Sequence, residues 1–185
     1  MPALDFRQVN YHVHVEDRGW PVLMIGNHFS WWDGFIALRI NMKLFRRKFH
    51  IMMLEEQLRE RMFLNKAGAY SIRKSHRSMV ESFAYTRELL SDPGNMAVMY
   101  PQGAIHSLYD HPFVFEKGWY NIIRKLETPV QLVFYHALVD YYAHRKPTLN
   151  LYVYGVEDER AGAEAVERTF NELFRQSLEI QRSYL

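Results

Sequence analysis

The chain of 185 residues contains no cysteine. That absence excludes a disulfide framework, a thiolate metal site and a cysteine nucleophile together. Long apolar runs are missing as well. No stretch approaches the roughly 18 uninterrupted apolar residues that a membrane-spanning helix needs. The first ten residues lack the charged-then-apolar pattern of a secretory signal. Nor does one sign of charge dominate: 23 Lys and Arg stand against 21 Asp and Glu, a net charge of +2. These shortages imply a cytoplasmic protein that meets a membrane, if at all, peripherally on its cytoplasmic face, and that has no nucleic-acid partner.

What is present is the composition of a folded protein, 48% hydrophobic and 15% aromatic. With no repeat, low-complexity tract or linker, residues 1–185 read as a single domain. Tyr11 to Val15 alternates and predicts a half-exposed strand closed by a turn at Asp17-Arg18-Gly19. Pro21 to Ile25 predicts a buried strand ending in Gly26-Asn27. Helical spacing follows from Trp31 to about Phe45. Further strands are predicted at Lys48–Met53, Ala69–Ile72, Met96–Met99, Val130–Ala137 and Leu149–Gly155. Further helices are predicted at Glu55–Leu64, from an N-cap at Ser75 through Leu90, at Glu116–Leu126, and from Arg160 to about Tyr184. Strands alternating with helices imply an α/β fold, a mixed, largely parallel sheet flanked by helices on both faces. In such sheets sites gather just past strand C-terminal ends, where both His28 and Gln102 fall.

His28 and Asp33 are separated by four residues, a spacing that carries little by itself. With nine His and seven Asp, about one such pair per three chains of this length arises by chance. His12 and Asp17 share the spacing, but His12 lies on the polar side of an alternating strand and Asp17 in its turn. His28 instead follows a buried strand and a Gly-Asn turn, and Asp33 opens the next helix, where the helix dipole favours a carboxylate. From there Asp33 can accept a hydrogen bond from one ring nitrogen of His28 and raise the basicity of the other. A histidine so held can take the proton of a substrate hydroxyl as it attacks a thioester carbonyl.

Asn27-His28-Phe29-Ser30-Trp31-Trp32-Asp33 resembles the N-H-x-S-x-x-D block of the glycerolipid acyltransferase family, whose members include glycerol-3-phosphate and lysophosphatidic acid acyltransferases. The resemblance implies that His28 is the general base and Asp33 its partner. It also implies a fatty acyl transfer from acyl-CoA or acyl carrier protein to a hydroxyl of a lysophospholipid or related lipid acceptor. Beyond that thioester co-substrate, no cofactor and no metal are expected. Gly68 to Lys74 is similar to a second family block ending in a cation, which makes Arg73 and Lys74 candidate substrate-binding residues for an anionic group. Tyr100-Pro101-Gln102-Gly103-Ala104-Ile105-His106-Ser107 is similar to the family's Phe-Pro-Glu-Gly-Thr-Arg-Ser.

In that third block Gln102 replaces the family's Glu, and the Arg position holds Ile105, or His106 if one residue is inserted. Gln102, Gly103 and His106 are therefore the further substrate-binding candidates. An amide with a lost guanidinium cannot hold a phosphate as the family's pair does, which opens the alternative of a non-phosphorylated acceptor such as a glycolipid or amino-acid lipid. A catalytically silent module binding lipid or acyl carrier is the other alternative. Phe115 to Gly118, and Ile122 to Val130, resemble the family's fourth block. The four blocks span roughly residues 20 to 140.

Arg39, Lys43, Arg46, Arg47 and Lys48 crowd the end of the helix that begins at Asp33. They read either as cations suited to a helix C-terminus or as a contact for anionic lipid heads or an acidic carrier protein. Trp31 and Trp32 line a channel on one reading and pack a core on the other. His106, Asp110 and His111 fit no established metal-ligand spacing.

Overall fold

Five consecutive buried residues, Val22–Gly26, must lie between two layers, because a strand points alternate side chains to opposite faces. The computed structural model describes residues 5–59, 68–72 and 75–184. Its elements in chain order are β1 (Gln8–His14), β2 (Val22–Gly26), α1 (Asp33–Leu44), β3 (Lys48–Leu54), α2 (Glu55–Arg59), β4 (Ala69–Ile72), α3 (His76–Leu89), β5 (Asn95–Met99), α4 (Asn121–Arg124), β6 (Gln131–Asp140), β7 (Thr148–Gly155) and α5 (Ala163–Arg182). The strands form one seven-stranded sheet in the order β1-β7-β6-β2-β5-β3-β4. Every neighbouring pair is parallel except β6 with β7. The expected mixed, largely parallel α/β sheet is what forms.

Alternate residues of β2 feed two cores. Val22 and Met24 join Ile36, Ala37 and Ile40 of α1 on one face. Leu23 and Ile25 join Ile122 and Ile123 of α4 and Phe170 and Phe174 of α5 on the other. Helices therefore cover both faces, and β2, β5 and β6 run side by side through the middle. Their register sets Ile25 opposite both Met99 and Phe134. The segments leaving β2 and β5 consequently emerge together past the C-terminal ends of the central strands, which is where a site forms in this architecture.

Most expected elements fall where the sequence puts them. Ser75 caps α3 by accepting the Ser78 N–H at 3.3 Å. The helix expected from Glu55 to Leu64 is described only over Glu55–Arg59; its remainder lies outside the described residues. The helix expected from Glu116 to Leu126 is a correction: only Asn121–Arg124 is helical. Gly118, at φ +96°, breaks the turn before it. The chain upstream finds its hydrogen bonds on α5, whose Asn171 and Glu167 side chains accept the Phe113 and Phe115 N–H groups at 2.7 and 2.8 Å. Phe113, Phe115 and Trp119 are thereby buried without a helix.

Among the described residues no helix is long and apolar enough to cross a membrane.

Candidate active site

The loop from Asn27 to Trp32 is shaped by side chains bonding main chain. Asn27, fully buried, pairs with β6 as a strand residue would: its Nδ2 donates to the Ala137 carbonyl at 3.1 Å and its Oδ1 accepts the Ala137 N–H at 2.8 Å. This fixes the direction in which the chain leaves β2. Ser30 Oγ then accepts the Trp32 N–H at 3.1 Å. Asp33 follows in the first turn of α1, 1% exposed. Its Oδ2 accepts three hydrogen bonds, from His28 Nδ1 at 2.7 Å, the Phe29 N–H at 2.8 Å and the Ser30 N–H at 3.0 Å. The loop is thus wrapped on one carboxylate oxygen.

That carboxylate is expensive to bury. Burial pushes the Asp33 carboxyl above its ordinary range, and the bonds from His28, Ser30 and Phe29 pull it part of the way back. A carboxylate acceptor requires a proton on His28 Nδ1, so in the neutral ring Nε2 is the nitrogen with the lone pair. Nε2 has no hydrogen-bond partner among the described residues, and the His28 side chain is 20% exposed. His28 is open to solvent while Asp33 is sealed.

The segment after β5 comes down on the same histidine. Gln102 Oε1 accepts the His28 N–H at 2.8 Å, and the His106 N–H donates to the His28 carbonyl at 2.9 Å. Because a backbone N–H can only donate, the Gln102 amide oxygen must face it. The amide nitrogen is left as a buried donor without an acceptor among the described residues. Gly103 turns at φ +71°, and a Cβ there would stand 3.0 Å from Glu116 Cγ. Two aromatic residues complete the surroundings. The Tyr100 ring stacks on His28, with centroids 4.4 Å apart and planes inclined by 14°. Tyr135 lies behind it, its hydroxyl 2.8 Å from that of Tyr100.

The chain belongs to the acyltransferase family. The family's model matches residues 8–136, which include β1, the His28–Asp33 loop, the Tyr100–Gly103 turn and most of β6. Comparison with curated proteins returns no match. Acyl transfer is therefore the general chemistry of the family to which the chain belongs.

The structure brings His28, Asp33, Gln102, Gly103 and His106 together. His106 does so through its main chain, while its imidazole reaches Asp110 at 3.3 Å in an exposed pair. Arg73 and Lys74 lie outside the described residues. Three of the five cations around the end of α1 are engaged by the protein itself. Arg39 donates to the Tyr11 hydroxyl at 2.7 Å, Lys43 sits 3.7 Å over the Tyr11 ring, and Arg47 pairs with Asp17 at 2.7 Å. The two tryptophans divide: Trp32 packs against the core of the α1 face, and Trp31 is 42% exposed at the rim. Among the described residues no group of three or more His, Asp or Glu could hold a metal ion.

Sequence reasoning gave no role to Asn27, Tyr100 or Tyr135. Asn27 and Tyr100 stood inside recognisable blocks. Tyr135 reads as any inner-strand aromatic, and its one signal is Gly26 at the end of the neighbouring buried strand. A Cβ on Gly26 would stand 2.2 Å from the Tyr135 ring.

Proposed function

We propose that this protein transfers a fatty acyl group from an acyl-CoA or acyl-carrier-protein thioester to a hydroxyl of a lipid acceptor, with His28 as general base. The observation that carries the reading is the 2.7 Å bond from His28 Nδ1 to the sealed Asp33 carboxylate, with Nε2 left open. Nε2 removes the acceptor's hydroxyl proton as its oxygen attacks the thioester carbonyl. The thiolate of the donor leaves, and the imidazolium returns the proton to it. Asp33 holds the productive tautomer and stabilises the imidazolium. Gln102, Gly103 and His106 border the substrate, and Arg73 and Lys74 supply positive charge to it. The protein works on the cytoplasmic face of a membrane, where lysophospholipid acceptors reside.

Gln102 favours one alternative acceptor. Its amide is neutral and its oxygen is already occupied by the His28 N–H, so a donor rather than a charge faces any ligand group that reaches it. A glycolipid or amino-acid lipid suits that better than a phosphate does. A transfer assay with labelled acyl-CoA and acyl carrier protein against a panel of such lipids, read by mass spectrometry, tests both acceptors. Product formation that survives His28→Ala would refute His28 as base. Thioester binding without turnover on every acceptor would make the protein a silent binding module.

A further inference from the structure

Four side chains close a ring of contacts around the base. His28 Nδ1 meets Asp33 Oδ2 at 2.7 Å. The Tyr135 hydroxyl donates to the Asp33 main-chain carbonyl at 3.3 Å. That uses the one proton of Tyr135, so the Tyr100 hydroxyl donates to Tyr135 at 2.8 Å. The Tyr100 ring then lies nearly flat on the imidazole. Four places in the fold contribute: the loops after β2 and β5, strand β6 and the start of α1. Asp33 alone fixes one nitrogen and leaves the ring free to tilt about that bond. A flat aromatic face removes the tilt. Gly26 permits the arrangement, since any Cβ there would occupy the space of the Tyr135 ring.

We propose that Tyr100, held in place by Tyr135, is a positioning residue that sets the plane of His28 and stabilises its protonated form. The proposal rests on the reading of His28 as general base. An imidazolium against the face of a neutral phenol is attracted by the ring's quadrupole, which the neutral imidazole is not to the same degree. The proton transfer that creates the imidazolium is thereby favoured. Both phenols are neutral through the working range, because burial drives their hydroxyls well above the usual tyrosine value. The other groups facing His28 are Asp33 from α1 and, from the segment after β5, the uncharged Gln102 and the main chain of His106. Of the titratable side chains in that segment, His106 and Asp110 pair with each other, and Glu116 lies beside Gly103.

The test compares Tyr100→Leu, Tyr100→Phe and His28→Ala by kcat and KM over a range of pH, using a thioester and a lipid acceptor that the wild type turns over. Tyr100→Leu should lower kcat about tenfold with little change in KM. It should also move the acidic limb of the pH–rate profile to lower pH, because the imidazolium has lost support. Tyr100→Phe keeps the face and loses only the hydroxyl's bond to Tyr135, so it should recover most of kcat and of the pH profile lost in Tyr100→Leu. Tyr100→Met serves in place of Leu if that variant does not fold. Wild-type kcat and pH profile in Tyr100→Leu or Tyr100→Met would overturn the proposal. So would Tyr100→Phe falling as far as Tyr100→Leu, since the hydroxyl and not the face would then matter. If instead His28→Ala keeps its activity, it is the general-base reading that fails.

Discussion

Two His–Asp pairs with the same spacing occur in this chain, and they end in different states. His28 and Asp33 meet at 2.7 Å. His12 stacks on Tyr152 at 4.4 Å, and Asp17 is taken by Arg47 and by the Gly19 N–H. The difference lies in what each pair spans. Between His28 and Asp33 the chain leaves a central, fully buried strand, is pinned by Asn27 and starts a helix. Between His12 and Asp17 it runs to the end of an edge strand at His14 and into the turn at Gly19, with no helix following. Spacing puts two groups within reach; a strand end followed directly by a helix start turns them towards each other.

The sharpest break of the comparison is at the histidines. His28→Ala should reduce acyl transfer by about 10²–10⁴, the usual worth of a general base. His12→Ala should leave transfer unchanged and cost at most about 1 kcal/mol of stability through its aromatic stack. Equal rates for the two variants in one assay would remove the functional distinction between the pairs. The aspartates come next. In Asp33→Asn the amide oxygen can still accept the Phe29 and Ser30 N–H groups, so the loop is kept. The charge facing the imidazolium is lost, and an NH2 group takes the place of Oδ1, which has no partner among the described residues. A fall in kcat of about 10²–10⁴ with the fold intact by circular dichroism is expected. Asp17→Asn should weaken only a surface ion pair, at about 1 kcal/mol or less.

The same contrast explains how much could be read in advance. Strands β2, β5 and β6 announced themselves as short apolar runs because they are buried on both faces. Asp33 announced itself by opening a helix after a buried strand and a Gly-Asn turn. The tie between His28 and Gln102 was hidden because it spans 74 residues of sequence. It depends on β2 and β5 lying side by side, which alternation alone does not specify. Tyr135 was hidden for a related reason: an aromatic in a central strand looks the same whether it fills space or supports a base. Residues 116 to 126 misled because Trp119, Ile122, Ile123 and Leu126 recur at helical spacing. Their burial is real, but the hydrogen bonds upstream come from Asn171 and Glu167 on α5, which no local window contains.

Two glycines carry the comparison into stability. Gly26 ends the strand before His28, and Gly19 sits in the turn after His12. A Cβ on Gly26 would stand 2.2 Å from the Tyr135 ring, whereas one on Gly19 would meet nothing within 4 Å, although its φ is +75°. Gly26→Ala is therefore an overpacking change, expected to cost about 1–3 kcal/mol and to lower transfer by displacing Tyr135. Gly19→Ala should cost about 1 kcal/mol through its backbone alone and leave transfer untouched. Thermal unfolding and kcat, measured on both, separate them. Loss of transfer in Gly19→Ala as large as in Gly26→Ala would show that the Tyr135 contact is not what matters.

A third histidine sharpens the contrast from the opposite side of β6. Tyr135 faces the site, so its neighbour His136 must face α5. There it is fully buried among Tyr154, Phe170 and Phe174, and its Nδ1 lies 3.1 Å from the Ser177 hydroxyl. With no carboxylate partner, burial alone lowers its pKa from 6.5 to about 3. The folded protein holds His136 neutral, while the unfolded chain takes up a proton as the pH falls through 6.5. Its contribution to stability is therefore complete above that value and is lost as the pH falls towards 3, at up to about 1.4 kcal/mol per pH unit. His12 and His50, lowered by partial burial, add in the same sense. Asp33, raised by burial, acts in the opposite sense, favouring the folded state where its carboxyl is protonated. Urea unfolding at pH 7 and pH 5 should show a clear loss in the wild type. His136→Phe keeps an aromatic ring against α5 and leaves Ser177 bonded to Tyr154 and to the Leu173 carbonyl. It should flatten that dependence, and an unchanged slope in the variant would mean that the acid sensitivity does not arise at His136.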